Sequence, residues 1–332
     1  MIGGDGIGPE VTSQALKALA LSGVEFETTD YDLGADRFKR DGTVLPAETV
    51  QALRDHDAIL LGAIGAAPGD SDVPPGLIER GLLLELRFSL DHYVNLRPFQ
   101  TTTGKFGEPV DMVFVREGTE GPYVGEGGVL RRGTEREVAT QGSVNTRFGV
   151  ERCVRYAFEL ARKRPRHSLT LVHKTNVLAY SGDLWRRTFE EVSTEFPDIE
   201  TSYNHVDAAC IHLVDDPRRY DVIVTDNLFG DILTDLAGAI AGGIGRAASA
   251  NLNPERTSPS MFEPVHGSAP DIVGTGRANP LAAIRSAALM LDFLGEGTAA
   301  ARIDKAITTV ADDQQLCTGS TDEIGDRVAE RI

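Results

Sequence analysis

The 332-residue chain contains only three cysteines and one tryptophan. No apolar run approaches the roughly 18 residues a membrane span requires. Cys153, Cys210 and Cys317 are odd in number and far apart among apolar neighbours, so no disulfide framework is implied and buried thiols in a reducing compartment are expected. The chain opens on glycines, with no basic and then apolar stretch, and the expectation is a cytoplasmic protein without a secretory leader. Basic charge is scarce too. Lys and Arg number 33 against 50 Asp and Glu, a net charge of -17 with a pI near 4.8, so no basic face is available for nucleic acid or an anionic membrane. GxGxxG and GxxxxGK[ST] are both missing, because the opening GGDGIGPE has its glycines at 4, 6 and 8. It reads either as a turn into a helix over 10–21, with Pro9 near the first position, or as a backbone cradle for another cofactor.

With 41% apolar and 25% charged residues the chain is long enough for two domains or one large one. Six β-rich runs, 24–30, 57–65, 111–117, 168–174, 199–207 and 221–227, alternate with amphipathic stretches and predict an α/β protein. Helices are expected over 149–164, with Val150, Val154, Ala157, Phe158 and Ala161 on one face, and over 279–294, where Pro280 marks the start and Gly295 the stop. The Gly- and charge-rich 125–149 reads as an arm or hairpin.

In TDNLFGDILTDLAG, apolar residues at 228, 232, 233, 236 and 240 give a helical period that places Asp231 and Asp235 on one face. Adjacent anions disfavour a helix unless a positive group lies between them. A divalent cation would serve, and a solvated face is the plainer alternative. Arg87, Arg97 and Arg116 adjoin apolar sequence and suit bidentate grip of a small anionic substrate, although any one alone reads as a surface ion pair. Tyr123 sits among glycines where a phenol could donate a proton or simply pack. Lys174 ends a strand-like run, as a cap or as a base. Asp207 opens an apolar helix, as a dipole partner or a metal ligand. EPVHGSAPDIVGTGRANP reads as a functional loop.

GDGIGPE, NLRP, REGTEGPY, HKTNV, NLFGDILTDL and EPVHGSAPDI occur in this order and together span the chain. The sequence thereby resembles the β-decarboxylating dehydrogenases that act on isopropylmalate, isocitrate, homoisocitrate, tartrate or D-malate. The resemblance implies a two-domain α/β fold of the isopropylmalate/isocitrate dehydrogenase type, not a Rossmann fold. It divides the chain into a discontinuous cofactor-side domain, 1–92 plus 242–332, and a dimerisation domain, 93–241. Relatives carry a few apolar residues before GDGIGPE, so the first strand is expected to be short.

The resemblance also implies roles. Asp231 and Asp235, with Asp207 from a second subunit, hold Mg2+ or Mn2+. Arg87, Arg97 and Arg116 grip a malate derivative, while Tyr123 and the second subunit's Lys174 transfer protons. NAD lies on the loop bearing Glu263, His266, Gly267, Ser268, Ala269, Asp271 and Ile272, with Asn279 beyond it. The active sites are those of a homodimer and are shared between its chains. Isocitrate enzymes place Ser and Asn six and four residues before the first arginine, where this chain has Gly81 and Leu83. An apolar lining of Leu82 and Leu83, with Val177 from the second subunit, leaves a third carboxylate unpaired and suits the isopropyl group of 3-isopropylmalate, the substrate of a leucine-biosynthesis step. GLLL also occurs in D-malate and tartrate enzymes, which form the alternative. Two readings of other classes compete. A metal-dependent phosphohydrolase would need a second metal shell of His or Asp, for which no HxH or HD pair is expected, and a non-catalytic Mg2+-binding module leaves Lys174 and Tyr123 without a purpose.

Overall fold

The computed structural model describes residues 1–332 except Thr103 and Phe106. The chain forms two compact units, one of Met1–His92, Thr101–Pro109 and Ala241–Ile332, the other of Tyr93–Gln100 and Val110–Ile240. Its strands are β1 (Ile2–Gly4), β2 (Ala58–Ala63), β3 (Val94–Thr101), β4 (Val110–Glu117), β5 (Gly127–Leu130), β6 (Val138–Gln141), β7 (Ser168–His173), β8 (Glu200–His205), β9 (Val222–Thr225), β10 (Ala248–Leu252) and β11 (Ser260–Pro264). The α-helices are α1 (Gly8–Ala20), α2 (Ala35–Asp41), α3 (Ala47–Leu53), α4 (Glu85–Ser89), α5 (Arg147–Lys163), α6 (Ala179–Ser193), α7 (Val206–Asp215), α8 (Asn227–Ile240), α9 (Leu281–Leu294), α10 (Gly297–Asp312) and α11 (Thr321–Ala329). Among the described residues no helix is long and apolar enough to cross a membrane.

In the first unit the strand order is β1-β2-β11-β10. The central β2 is a continuous apolar run, as a parallel strand covered on both faces must be. It runs parallel to β1, with Ile2 beside Leu61, and to β11, with Met261 beside Ile59. Strand β10 returns antiparallel to β11. Helix α9 packs on β2, β10 and β11 and contacts α1 and α10. It begins after Pro280, where Asn279 Oδ1 accepts the Leu281 amide at 3.0 Å, and ends at Gly295 with φ 100°.

The glycines of the opening motif are packing residues. A Cβ on Gly6, whose φ is +58°, would run into the Ser268 carbonyl oxygen, and one on Gly8 into that of Gly3. Just before them Asp5, 4% exposed, accepts the backbone amides of Ala35 at 2.8 Å, Asp36 at 3.1 Å and Gly65 at 2.9 Å. One carboxylate thus caps the first turn of α2 and fixes the loop after β2.

In the second unit the order is β3-β4-β9-β7-β8. Strand β9 runs parallel to β4 and β7, and β7 parallel to β8, with His173 beside His205. Helix α5 covers β4, β9 and β7 through a buried face that includes Val150, Val154, Ala157, Phe158 and Ala161. Strands β5 and β6 form a separate antiparallel hairpin with every residue exposed, the arm expected between 125 and 149.

Five of the six β-rich runs contain a strand. The exception is 24–30. Strand β1 supplies only three residues as a neighbour, and the segment is held beside it by the Tyr31 amide donating to the Met1 carbonyl at 2.8 Å and the Met1 ammonium donating to Thr29 at 2.5 Å. Too few partner groups remain for a ladder. The thiol expectation is corrected as well, since Cys153 is buried while Cys210 and Cys317 are partly exposed.

Removing the Asp5 acceptor should strand three backbone donors. Asp5→Ala is expected to lower unfolding free energy by about 3 kcal/mol, read from the urea midpoint at unchanged slope. An unshifted midpoint would show that the three amides find water instead.

Candidate active site

Helix α8 starts at a cap. Asp226 Oδ1 accepts the Phe229 amide at 2.8 Å, and its Oδ2 lies 3.3 Å from Nε2 of the fully buried His173. Asp226 is thereby structural. One residue on, Asn227 is fully buried. Its Oδ1 accepts Arg116 Nε at 3.0 Å and Nη2 at 2.7 Å, its carbonyl accepts Nε at 2.8 Å, and its Nδ2 donates to the Glu120 carbonyl at 3.0 Å. Gly230 leaves room for this, because a Cβ there would collide with the Arg116 stem.

A turn further, Asp231 is the junction of the cluster. Its Oδ1 accepts Arg116 Nη1 at 2.5 Å and lies 3.6 Å from Arg97 Nη2, while its Oδ2 accepts the Tyr123 hydroxyl at 2.7 Å. Arg97 also donates to Thr234 Oγ1 at 2.6 Å and stands 4.0 Å from Asp235. The positive charge expected beside the aspartate pair is therefore supplied by guanidinium groups in the chain itself. Asp235, with a side chain 71% exposed, projects into solvent.

Tyr123 sits in the 3-10 turn Pro122–Val124, between left-handed Gly121 and Gly125. The preceding loop is built on carboxylates. Glu117 accepts the Thr119 amide at 2.7 Å, the Thr119 hydroxyl at 2.6 Å and the Glu120 amide at 2.7 Å. Glu120 accepts the Thr146 amide at 2.8 Å and the Thr146 hydroxyl at 2.5 Å at the start of α5.

Lys174 donates to Asp207 at 2.7 Å, and this bond holds the Asp207 carboxyl below the usual carboxylate range. The neighbouring Val177 is 65% exposed. Among the described residues no three His, Cys, Asp or Glu side chains gather as a metal site within the chain, so Asp207 does not join Asp231 and Asp235 there. The expectation that the sequence holds no HD pair is corrected by His56–Asp57, whose imidazole bonds the Tyr31 hydroxyl at 2.8 Å.

In the first unit Arg87 lies in the middle of α4, buried, with Nη2 3.8 Å from Glu263 Oε1. Glu263 accepts Asn251 Nδ2 at 2.7 Å. Ahead of α4 runs a π-helical turn, Glu79–Leu84. It directs Leu82 wholly into the core with Leu33, Leu53 and Leu86, which corrects its expected place as a lining residue. Leu83 is partly buried against that core and keeps an exposed edge.

The 263–279 loop folds onto the opening motif through the Ile7 amide, which donates to Ser268 O at 2.9 Å. His266 Nδ1 meets Gly267 O at 3.0 Å, and burial pushes the imidazole below its usual pKa. Ala269 takes a left-handed φ of 40° and turns the chain into the 3-10 turn Pro270–Ile272. Gly267 and Asp271 are exposed, Ile272 partly so. Asn279 spends its oxygen on the α9 start and keeps its amide nitrogen as a donor. Exposed hydroxyl-binding and amide groups on a backbone-rich loop fit a nucleotide, and the hard oxygen donors of Asp231 and Asp235 fit a divalent cation. Sequence reasoning missed Glu117, Glu120 and Asn227. Their only signal was polarity beside apolar strand and helix ends.

A profile described as isocitrate/isopropylmalate dehydrogenase matches residues 1–328. Over its full length the chain is 60% identical to the 3-isopropylmalate dehydrogenase of Corynebacterium efficiens, covering 98% of that protein. It is 58% identical to that of Mycobacterium tuberculosis, covering 99%. Among solved structures, isocitrate dehydrogenase from Methylococcus capsulatus superposes with a TM-score of 0.90 at 38% identity, over 99% of this chain and 97% of that one. A β-decarboxylating dehydrogenase from Thermococcus kodakarensis gives 0.81 at 35%, over 99% and 94%.

Glu117 carries a pH signature. Burial lifts its carboxyl from 4.5 to about 7, against the opposing bonds from Thr119 and Glu120. Between those values the folded chain holds a proton that the unfolded chain has released, so this contribution to stability is complete below pH 4.5 and is lost as pH rises through 7. Relative to Glu117→Gln, the wild type should lose on the order of 3 kcal/mol between pH 4.5 and 8, measured by urea unfolding across pH. A pH-independent difference would remove Glu117 as the titrating group.

Proposed function

The chain belongs to the isocitrate/isopropylmalate dehydrogenase family, and from that premise we propose that it catalyses the NAD-dependent oxidative decarboxylation of 3-isopropylmalate to 2-oxoisocaproate, a step of leucine biosynthesis, as a cytoplasmic homodimer. The observation that carries this reading is the single Asp231 carboxylate on which Arg116 and Tyr123 converge, with Arg97 alongside. It sets anion-binding, proton-donating and cation-binding groups within hydrogen-bond reach of one another. The choice of substrate is supported by identities of 58 to 60% to 3-isopropylmalate dehydrogenases, against 38% to an isocitrate enzyme. Gly81 and Leu83 add support, since neither can bond a third carboxylate.

In this reading Arg87, Arg97 and Arg116 bind the substrate carboxylates. Asp231 and Asp235, with Asp207 of the partner subunit, would hold Mg2+ or Mn2+, and Glu263, His266 to Ala269, Asp271, Ile272 and Asn279 would hold NAD. When bound, the cation supplies polarisation of the substrate's C2 oxygen and the nicotinamide accepts hydride. Lys174 of the partner subunit, in its neutral form, or a water that it orients takes the hydroxyl proton as C2 is oxidised. The C3 carboxylate then leaves as CO2, its bonding pair stays on the substrate, and the Tyr123 phenol delivers a proton to C3. Leu83 and Val177 of the partner subunit face the isopropyl group.

Two experiments test this. NADH formation with Mg2+ should give its highest kcat/KM on 3-isopropylmalate among that substrate, D-malate, tartrate and isocitrate. Asp271 should repel the 2′-phosphate of NADP, as acidic ribose partners do elsewhere. A better alternative substrate, or equal use of the two cofactors, would overturn the corresponding part. Complementation tests the sharing. Lys174→Met and Asp231→Asn, each inactive, are unfolded and refolded together. Mixed dimers hold one site with both wild-type residues and one with neither, so random pairing should restore roughly a quarter of wild-type activity. A purified mixed dimer without activity would place Lys174 in its own chain's site.

A further inference from the structure

Lys174 stands one residue beyond β7, and its place is fixed from β8. The Tyr203 hydroxyl lies 3.2 Å from the His173 carbonyl oxygen, 3.2 Å from the Thr175 amide nitrogen and 3.0 Å from Thr175 Oγ1. These are the residues on either side of the lysine. A phenol has one proton to donate and two lone pairs. Donating to the His173 carbonyl, it accepts the Thr175 amide and has one lone pair left for either Thr175 Oγ1 at 3.0 Å or Nδ1 of His205, 2.7 Å away. The far side of the turn is closed by the amides of Val177 and Leu178, which donate to the Lys174 carbonyl at 3.0 and 2.9 Å. Helix α6 presses close behind it. A Cβ on Gly182 would approach Thr175 Cα to 2.7 Å.

We propose that Tyr203 is a positioning residue for Lys174, holding the backbone on both sides of the lysine so that its amine points where the proton is transferred. The proposal rests on the reading of Lys174 as a proton-transfer group. Proton transfer needs heavy atoms within about 3 Å, and a displacement of about 1 Å at such a step can cost up to 10²-fold in rate. The hydroxyl reaches the lysine only through backbone, so its loss should affect turnover and spare substrate affinity.

Tyr203→Phe keeps the ring and deletes the hydroxyl. The expected result is a kcat about tenfold or more below wild type, KM for 3-isopropylmalate within about twofold, at most a small fall in the unfolding midpoint, and faster hydrogen exchange at the Thr175 amide by mass spectrometry. Thr175→Val deletes only the side-chain half of the contact. It should lower kcat less, and the double variant should fall short of the product of the two single effects, as coupled groups do. Should Tyr203→Phe fail to fold, Thr175→Val alone decides, through the same comparison of kcat with KM and its midpoint. Unaltered kcat in a folded Tyr203→Phe, a fall in kcat accompanied by equal change in KM and a lower midpoint, or fully additive variants would overturn the proposal. Lys174→Ala separates the two readings. If it is inactive while Tyr203→Phe is fully active, only the positioning role fails; if it turns over like wild type, the assignment of Lys174 fails and the positioning role with it.

Discussion

The second unit is organised around one buried cation. The Arg116 side chain is 1% exposed, and a guanidinium in that position is tolerable only with its donors matched, because an isolated buried charge costs several kcal/mol. Asn227 and Asp231 match them from a single helix face, and Gly230 vacates the space that the arginine stem fills. The segment NLFGD is thus a receptor for a guanidinium before it is anything else. From it follow the position of β4 against α8, the hold of Asn227 on the Glu120 carbonyl and, through Asp231, the orientation of the Tyr123 phenol.

The acidic composition has the same logic. With 50 Asp and Glu, the chain uses several as anchors for backbone amides where no secondary-structure partner exists. Asp5 ties three amides together in the first unit. Glu117 and Glu120 brace the loop before Tyr123, and Asp226 caps α8. Charge-assisted bonds of this kind are stronger than neutral ones. Glu117 marks the limit of the device, since at full burial its carboxyl resists ionisation despite its bonds.

Much of this was legible in the sequence. Continuous apolar runs announced β2, β4, β7 and β9, and the 3.6-residue period announced α5 and α8. Asp231, Arg97, Arg116 and Tyr123 were singled out, and the structure gathers them. What escaped has physical reasons. Strand β3 contains Pro98 and β10 is mostly small residues, so neither has strand composition. The inward turn of Leu82 depends on a π-helical turn, and with three leucines in succession no 3.6-residue count identifies which one faces the core. Asn227 carries no pattern at all; its importance exists only once β4 and α8 are adjacent.

The two aspartates of α8 are chemically alike in sequence and unlike in place. Asp231 has both oxygens engaged, by Arg116 and by Tyr123, whereas Asp235 has Arg97 at 4.0 Å and a side chain 71% exposed. Attraction falls with distance and with solvent screening, so Asp231 is held rigidly and Asp235 remains free to reorient. The Tyr123 phenol and the Arg116 guanidinium lean on opposite oxygens of the same Asp231 carboxylate. Placement of the phenol and seating of the guanidinium are therefore not separable functions of this helix, and a change in either must be felt at Asp231.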